Sequence, residues 1–590
     1  MFLKRRVRHK DGKDHIYYSV CESLRIHKGR TIQRQILHLG DLNTDQQQSW
    51  RHTLEVINED DGQTLQRRLF TDRDGTTPPD DDVIEVRLSS LRVRQPRRFG
   101  DCWAATLLWR QLGLDTFWES MLGADRGEVP WAKVLELLCV NRLLDPRSEL
   151  FVHEKWFPQT AMDILLDCDQ SVAELSRLYR CLDHLGAHKE ALEQHLAAKW
   201  KDLFGATFDI ILYDLTSTYF EGRAEAIPKA KRGYSRDHRP DCKQLVIALV
   251  VSAEGFPLTY EVFDGNTIDV TTLKHIVEKV ETKHGRARRV WVFDRGINSE
   301  DNLKWLRERG ACYLVGTPKS QLGAFEQALT EQAWQQAAPE VEVKLCPEDN
   351  DLYVLCRSQG RIQKEQAMRR RSLKALIGDL LKLRAAVAKG RLKDAKTIER
   401  RIAHLEERHR SFWRFLKHCV YEDGRLRWQW DKEKWRSSVN RDGAYLLRAH
   451  WPEGSTDPAQ LWQTYIQLTE AEAAFRTMKS EIKVRPIWHQ LGLRVEAHIM
   501  IAFLGYAMHV CLKKLAAAKA PSLTPWQILQ HLRKIAMVEV EFKTRDGRTL
   551  TLPRITVPEQ EQAAILLQLG WTLPQQPPPR ISSSRMPDSN

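Results

Sequence analysis

"FDIILYDLTSTYFEG", residues 208–222, opens with an apolar run and then places one acid, Asp214, ahead of a cluster of hydroxyl residues. The β-branched and aromatic content predicts a buried strand. A lone carboxylate there has no chemistry of its own, so the rest of the chain must supply its partners. "DIILYD", "LVIALVVS" and "LTYEVFD" are three successive strand candidates. A helix "VTTLKHIVEKVETKHG", a strand "RVWVFD", a helix "NSEDNLKWLRERG" and a strand "CYLVGT" come next. The order β-β-β-α-β-α-β predicts a mixed α/β sheet with helices on its faces. Thr216, Ser217 and Thr218 are read as strand-face residues.

"RRVWVFDRGIN" repeats the opening pattern: a short apolar strand ends in Asp294, and Gly296 offers a sharp bend and close backbone approach. Ligand sites in open α/β sheets gather beyond the carboxyl ends of strands. Two strands that each end in Asp can set two carboxylates in one crevice, where they suit hard divalent cations. Taken singly, either Asp equally fits a turn former or a helix cap.

A third acid comes from "YIQLTEAEAAFRTMKSEIKVRPIWH". Leu468, Ala471, Phe475, Met478 and Ile482 recur at three- and four-residue spacing and predict one buried helix face. At about 100° per residue, Glu472 falls roughly 40° from Leu468, at the edge of that face, whereas Glu470 points to solvent. Lys479 returns to the side of Glu472, with Arg476 between them. Such a row either supports the helix surface or looks into a cleft.

The chain has 590 residues, a net charge of +13 and a pI near 9.1, which fits either a polyanionic partner or a basic soluble enzyme. Its 11 cysteines include no C-x-x-C pair and are read as reduced cytosolic thiols. The N-terminus "MFLKRRVRHKDGK" has no apolar signal region, and "IMIAFLGYAMHVCL", residues 499–512, is too short to span a bilayer; a buried helix and no membrane are expected.

Residues 1–70 are expected to form a small β-rich unit, with "HIYYSVCESLRI" and "TIQRQILHL" as strands around the turn "HKGR". Residues 71–99, beginning "TDRDGTTPPDDD", are expected to be linker. Residues 100–203 have helical periodicity. In "SVAELSRLYRCLDHLG", Ser171 and Glu174 make a capping-box pattern, Leu175, Leu178, Leu182 and Leu185 share a face, and Gly186 offers a stop. Segment 361–417 predicts a helical hairpin about "KGRLKD". Its 18 Lys and Arg against 6 Asp and Glu concentrate nearly all the net charge there. It is read either as a solvated face or as an arm that tracks phosphates. The Pro- and Ser-rich end, 573–590, is expected to be disordered.

Asp, Asp and Glu, in this order on a first strand, a fourth strand and a late helix, resemble the DDE transposases, retroviral-integrase-like enzymes with an RNase H-like core. The likeness is to bacterial insertion-sequence transposases of the IS-four type, whose helix motif is Tyr-x2-Arg-x3-Glu-x6-Lys. Tyr465, Glu472 and Lys479 match that spacing, and the Arg position is Leu468. "YDLTSTYFEG", "GYSRDHRPDCKQLVIALVV", "GFPLTYEVFDGNTID" and "FDRGINSEDNL" share the resemblance, which runs from about 205 to 320 and from 455 to 512.

The resemblance implies an RNase H-like core in two parts, 204–320 and 456–515, interrupted by an insertion domain at 321–455. Around it stand a helical DNA-end-binding domain at 100–203 and a C-terminal region at 516–572. It further implies two-metal hydrolysis at element ends, then attack of the released 3′-OH on target DNA. Asp214, Asp294 and Glu472 would hold two Mg²⁺ or Mn²⁺ ions. Tyr465, Arg476, Lys479, Lys483 and Arg485 would contact DNA, while His489 and His498 are read as core histidines. A homodimeric synaptic complex and a bacterial, cytoplasmic, nucleoid-associated setting are expected. A nuclease without strand transfer and a catalytically inactive DNA-binding derivative are the competing readings.

Overall fold

The computed structural model describes residues 1–590 apart from 11–12, 26–30, 60–83, 123–128, 286–288, 295, 297–298, 332, 349–350, 452–456 and 583–590. The turn "HKGR" and the stretch "TDRDGTTPPDDD" thus fall essentially outside the described residues.

Strands β1 (Phe2–Lys10), β2 (Lys13–Arg25) and β3 (Thr31–Gly40) form an antiparallel sheet, followed by helix α1 (Thr44–Glu59). Next come β4 (Val86–Val93) and β5 (Arg97–Arg98). Five longer helices follow: α2 (Gly100–Gln111), α3 (Leu114–Leu122), α4 (Trp131–Leu144), α5 (Leu175–Asp183) and α6 (Lys189–Phe204). The capping box expected at Ser171 does not form. Asp169 caps a short 3-10 turn by accepting the Ser171 N–H, Glu174 becomes the N-cap of α5, and α5 ends at Asp183 before Gly186.

The predicted element order then appears: β6 (Ile210–Tyr219), β7 (Gln244–Ser252), β8 (Pro257–Asp264), α7 (Leu273–His284), β9 (Val290–Phe293), α8 (Glu300–Glu308) and β10 (Cys312–Gly316). β7 is buried along its whole length, as its unbroken Leu-Val-Ile run requires.

Past β10 the chain adds β11 (Gln335–Ala338), β12 (Val341–Glu348) and β13 (Asp351–Ser358). Helices α9 (Gln359–Ala388) and α10 (Ala395–Arg408) make the hairpin. The hairpin turns at Gly390, whose φ of +67° suits glycine, and Asp394 caps α10. A ribbon of β14 (Leu416–Glu422) and β15 (Arg425–Trp430), helix α11 (Lys432–Asn440) and β16 (Ala444–His450) complete this region.

One mixed sheet of nine strands dominates, in the order β11-β12-β13-β16-β10-β9-β6-β7-β8. β6, β9 and β10 are mutually parallel, and the other pairs are antiparallel. The insertion expected as a separate domain is therefore only partly separate. Its strands β11–β13 and β16 extend the central sheet, because β10 offers an edge that β16 pairs through Tyr313–Gly316. The hairpin and ribbon instead share a core of their own, with Leu376, Leu380, Leu383, Leu405, Leu416 and Leu426.

The segment that carries Tyr465 and Glu472 forms α12 (Pro458–Ile466) and α13 (Leu468–Ser480), and α14 (Gly492–Lys519) comes after them. α14 is longer than the apolar run predicted. It is the one helix among the described residues long and apolar enough to cross a membrane, yet 89% of its most apolar window is buried inside the fold. α2, α4 and α5 pack against it in the same continuous core that includes the central sheet. Residues 100–203 are thus part of the main body rather than a detached unit.

The chain ends with α15 (Pro525–Leu532), β17 (Ala536–Thr544), β18 (Thr549–Ile555), α16 (Gln560–Leu569) and β19 (Arg580–Ser582). β4 pairs with β17, and β19 with β18. Two expectations are corrected here. Residues 86–98, expected as linker, are strands that dock on β17. Residues 573–582, expected as disordered tail, bury Leu573 and hold Ile555 through the Gln576 side chain.

Candidate active site

β6 is longer than its parallel neighbour β9, and that difference makes the crevice. The two strands run in register from Ile210 opposite Val290 to Tyr213 opposite Phe293. β9 stops there, while β6 continues to Tyr219. Beyond the step, residues 484–487 take over beside β6. Ile487 N–H donates to Tyr219 O at 2.9 Å, Glu221 N–H donates to Ile487 O at 2.9 Å, and Thr218 Oγ1 reaches Val484 O at 3.4 Å. Asp214 and Asp294 each come directly after the last matched pair. Equal register puts them at one level and on one face of strands about 4.8 Å apart.

α13 packs over β6. Leu468, Ala471, Phe475, Met478 and Ile482 are buried, as the spacing predicted, and Glu472 and Arg476 are exposed. Glu470 departs from its reading. Rather than pointing freely to solvent, it pairs with Lys513 of α14 at 2.7 Å, because α14 covers that side of α13. The predicted single helix is broken at Gln467, which leaves Tyr465 on α12 and Glu472 on α13. Leu468 begins α13 and is 5% exposed. A guanidinium placed there would be desolvated, which explains why an apolar side chain fits at this position.

The half-buried Asp214 carboxyl is pushed up to about 7. Burial is the main cause; the charges of Asp294 and Glu472 add to it, against the pull of the Leu215 N–H and of Arg236. Asp214 Oδ1 accepts that N–H at 2.8 Å. The Tyr465 phenol is raised to about 12, by burial first and then by Asp294 and, more weakly, Glu472. The three acids and Tyr465 therefore share one electrostatic neighbourhood. Among the described residues no group of three or more Asp, Glu, His or Cys converges tightly enough to hold an ion. Asp294 and Glu472 are exposed.

Tyr465 reaches the crevice because Gly316 ends β10: a Cβ there would stand 2.6 Å from Tyr465 Oη. Gly296, read as a bend, does not adopt a left-handed conformation and instead lies against Asp269.

The predicted DNA contacts divide. Lys479 Nζ bonds Asp237 Oδ1 at 2.7 Å, and Arg485 pairs with the same oxygen. Asp237 is almost completely buried, and its second oxygen has no hydrogen-bond partner among the described residues. Lys479 is lowered by burial, with Asp237 opposing. These two cations are thus engaged within the free chain, while Arg476 and Lys483 are exposed. The neighbouring Arg236 binds Asp269, and its N–H donates to Ser217 Oγ at 3.2 Å. Asp237 and Arg236 went unread as site residues. Their signal was the charge cluster in "GYSRDHRPDC", between β6 and β7.

His489 and His498 are buried, as read. His498 contacts Val484 O at 3.1 Å, and His489 pairs with Glu149 at 3.5 Å. Thr216, Ser217 and Thr218 are likewise buried on β6.

A mixed sheet with acids gathered where two parallel strands part is the frame of the DDE transposase class. The family model described as "Transposase DDE domain" matches residues 206–508, about half the chain, and the chain belongs to that family. Among solved structures, it is similar to a piggyBac transposase synaptic complex with hairpin DNA, determined by cryo-EM. That likeness has 9% identity and a TM-score of 0.37, covering 75% of this chain and 82% of the other. No curated protein matches the chain.

Proposed function

We propose that the protein cuts the ends of a bacterial insertion sequence of the IS-four type and joins them to target DNA by a cut-and-paste route. The observation that carries the reading is the register of β6 and β9, which sets Asp214 beside Asp294, together with the charge of Glu472 felt at Asp214. Asp214, Asp294 and Glu472 are the proposed metal ligands. The fit is chemical: two further hard oxygen donors, Asp294 and Glu472, stand by the Asp214 carboxyl, which its surroundings already push toward protonation, and a divalent cation would supply the missing positive charge. Two Mg²⁺ or Mn²⁺ ions, when bound, would supply Lewis acidity to the attacking and leaving oxygens.

The chain's own groups do the rest. The Leu215 N–H fixes one oxygen of Asp214. Arg476, exposed four residues after Glu472, is placed to meet a phosphate, and Tyr465 lines the side of Asp294. Lys479 and Arg485 would reach phosphate once DNA competes with Asp237. Water is the proposed first nucleophile, and the released 3′-OH the second. A homodimer that brings two element ends together, acting in the cytoplasm, completes the proposal.

Asp214→Asn tests it. Cleavage of end-containing DNA in Mg²⁺ should vanish, with end binding largely kept. A variant that still cut at the normal rate would remove Asp214 from the site. Product analysis separates transposition from simple hydrolysis: the first yields 3′ ends joined to new DNA, the second only nicks and breaks.

A further inference from the structure

We infer that a cavity that shares Arg485 with the Asp237 cluster holds one phosphate of a single-stranded DNA segment and stacks the adjoining base on Trp488. The inference deepens the reading above, since it takes DNA as the partner. The cavity has a volume of about 420 Å³. It lies between the end of α4 and the segment after α13, and is lined by Arg142, Arg147, Lys483, Arg485 and Trp488 among others.

Three observations point to an anion with a flat ring attached. Arg142 is 6% exposed, and its Nε is buried with no hydrogen-bond partner among the described residues. Its other contacts are long, 3.4 Å to Lys483 O and 3.4 Å to His498 Nδ1. A buried guanidinium so incompletely bonded is costly to keep, and a phosphate oxygen is the acceptor that best suits it. Lys483 and Arg147 then stand exposed at the same cavity. Finally, Trp488 is 65% exposed at the rim, where its ring serves no core. Cations beside an open aromatic face are what single strands recognise.

Glu149 is the one acid in the lining. Burial works to raise it, but the bond to His489 and the charges of His489 and Arg142 outweigh burial and hold it down at about 2. It therefore offsets Arg142; Arg147 lies 3.4 Å from Asp145 and Arg485 is paired with Asp237, so Lys483 carries the surplus charge. Arg485 belongs both to this cavity and to the Asp237 cluster that holds Lys479, so a strand seated here continues toward the acids.

Trp488→Ala and Arg147→Gln change exposed side chains and leave the core intact. Their binding to a short single strand with a 3′ fluorophore is read by anisotropy in the full chain, without divalent metal, so that it does not depend on cleavage. Loss of one stacked base should weaken binding roughly tenfold in Trp488→Ala, and Arg147→Gln should reduce the salt slope by about 0.7. Duplex DNA of equal length should respond far less to Trp488→Ala. A 5′-phosphorylated strand that binds more tightly than its 5′-hydroxyl twin assigns the cavity to a terminal phosphate; equal binding assigns it to an internal one. Single-strand binding unchanged in both variants would overturn the inference. Metal-dependent nicking by those same proteins would still uphold the transposase reading.

Discussion

At the residue scale, the decisive feature is a carboxylate that its surroundings do not want charged. Asp214 rises from 3.8 to about 7, so between those values the native state holds a proton that the unfolded chain has lost. Native stability due to this group is present below the lower value and is lost as pH rises through about 7. Metal-free Asp214→Asn should therefore melt higher than wild type above pH 7, with the gap closing as pH falls towards 4, as read by thermal denaturation. Metal affinity should run the other way, falling roughly tenfold per pH unit below about 7, as titration calorimetry with Mg²⁺ would show. Asp237 poses a different problem. It binds two cations in near-complete burial, so Asp237→Asn should cost about 3 kcal/mol in urea unfolding by stranding Lys479. The places of Asp214 on a strand, of Asp294 just past one and of Glu472 on a helix were legible because each sits in a recognisable strand or helix pattern. Asp237 was not, since a loop residue carries no periodicity and its partners lie more than two hundred positions downstream.

At the element scale, local pattern and long-range pairing part company. The strands and helices from β6 to β10 are set by alternation, apolar runs and three-to-four spacing. That β16 would pair β10 and draw β11–β13 into the same sheet was not legible, because edge pairing is settled by geometry brought in from a distant segment. The same holds for β4 and β19, whose short polar stretches become strands only against β17 and β18. The α9–α10 hairpin was legible, being local, although the range expected to 417 overruns α10, which ends at Arg408, and enters β14; its separate core makes it a removable test. Replacing six of its exposed Lys and Arg by Gln should leave unfolding unchanged and lower the slope of log affinity against log salt by about 5 on duplex DNA. An unchanged slope would mark the hairpin as a solvated face. Leu380→Ala, buried in the hairpin's core, should cost about 3 kcal/mol locally and spare the central sheet, as hydrogen exchange would resolve.

At the scale of the whole molecule, the family match at 206–508 marks a region narrower than the unit that folds. α14 lies largely within that region, yet α2, α4 and α5, all preceding it, cover its apolar surface. Polar ties cross the same boundary. Trp200 donates to Pro257 O at 2.9 Å, and the fully buried Glu193 accepts from Thr259 at 2.8 Å and pairs with Lys283. A fragment of residues 205–515 would bare the α14 face, leave Lys283 beside an empty site, and open Phe256 where Trp200 stacks at 5.0 Å. We expect it to keep helical far-UV dichroism but lose fixed near-UV signals and a cooperative unfolding transition. Full-length protein should unfold with that region and the N-terminal helices in one step. A fragment that unfolds cooperatively with native near-UV dichroism would show that the catalytic core stands alone, and that the helices before it are an addition rather than half of its interior.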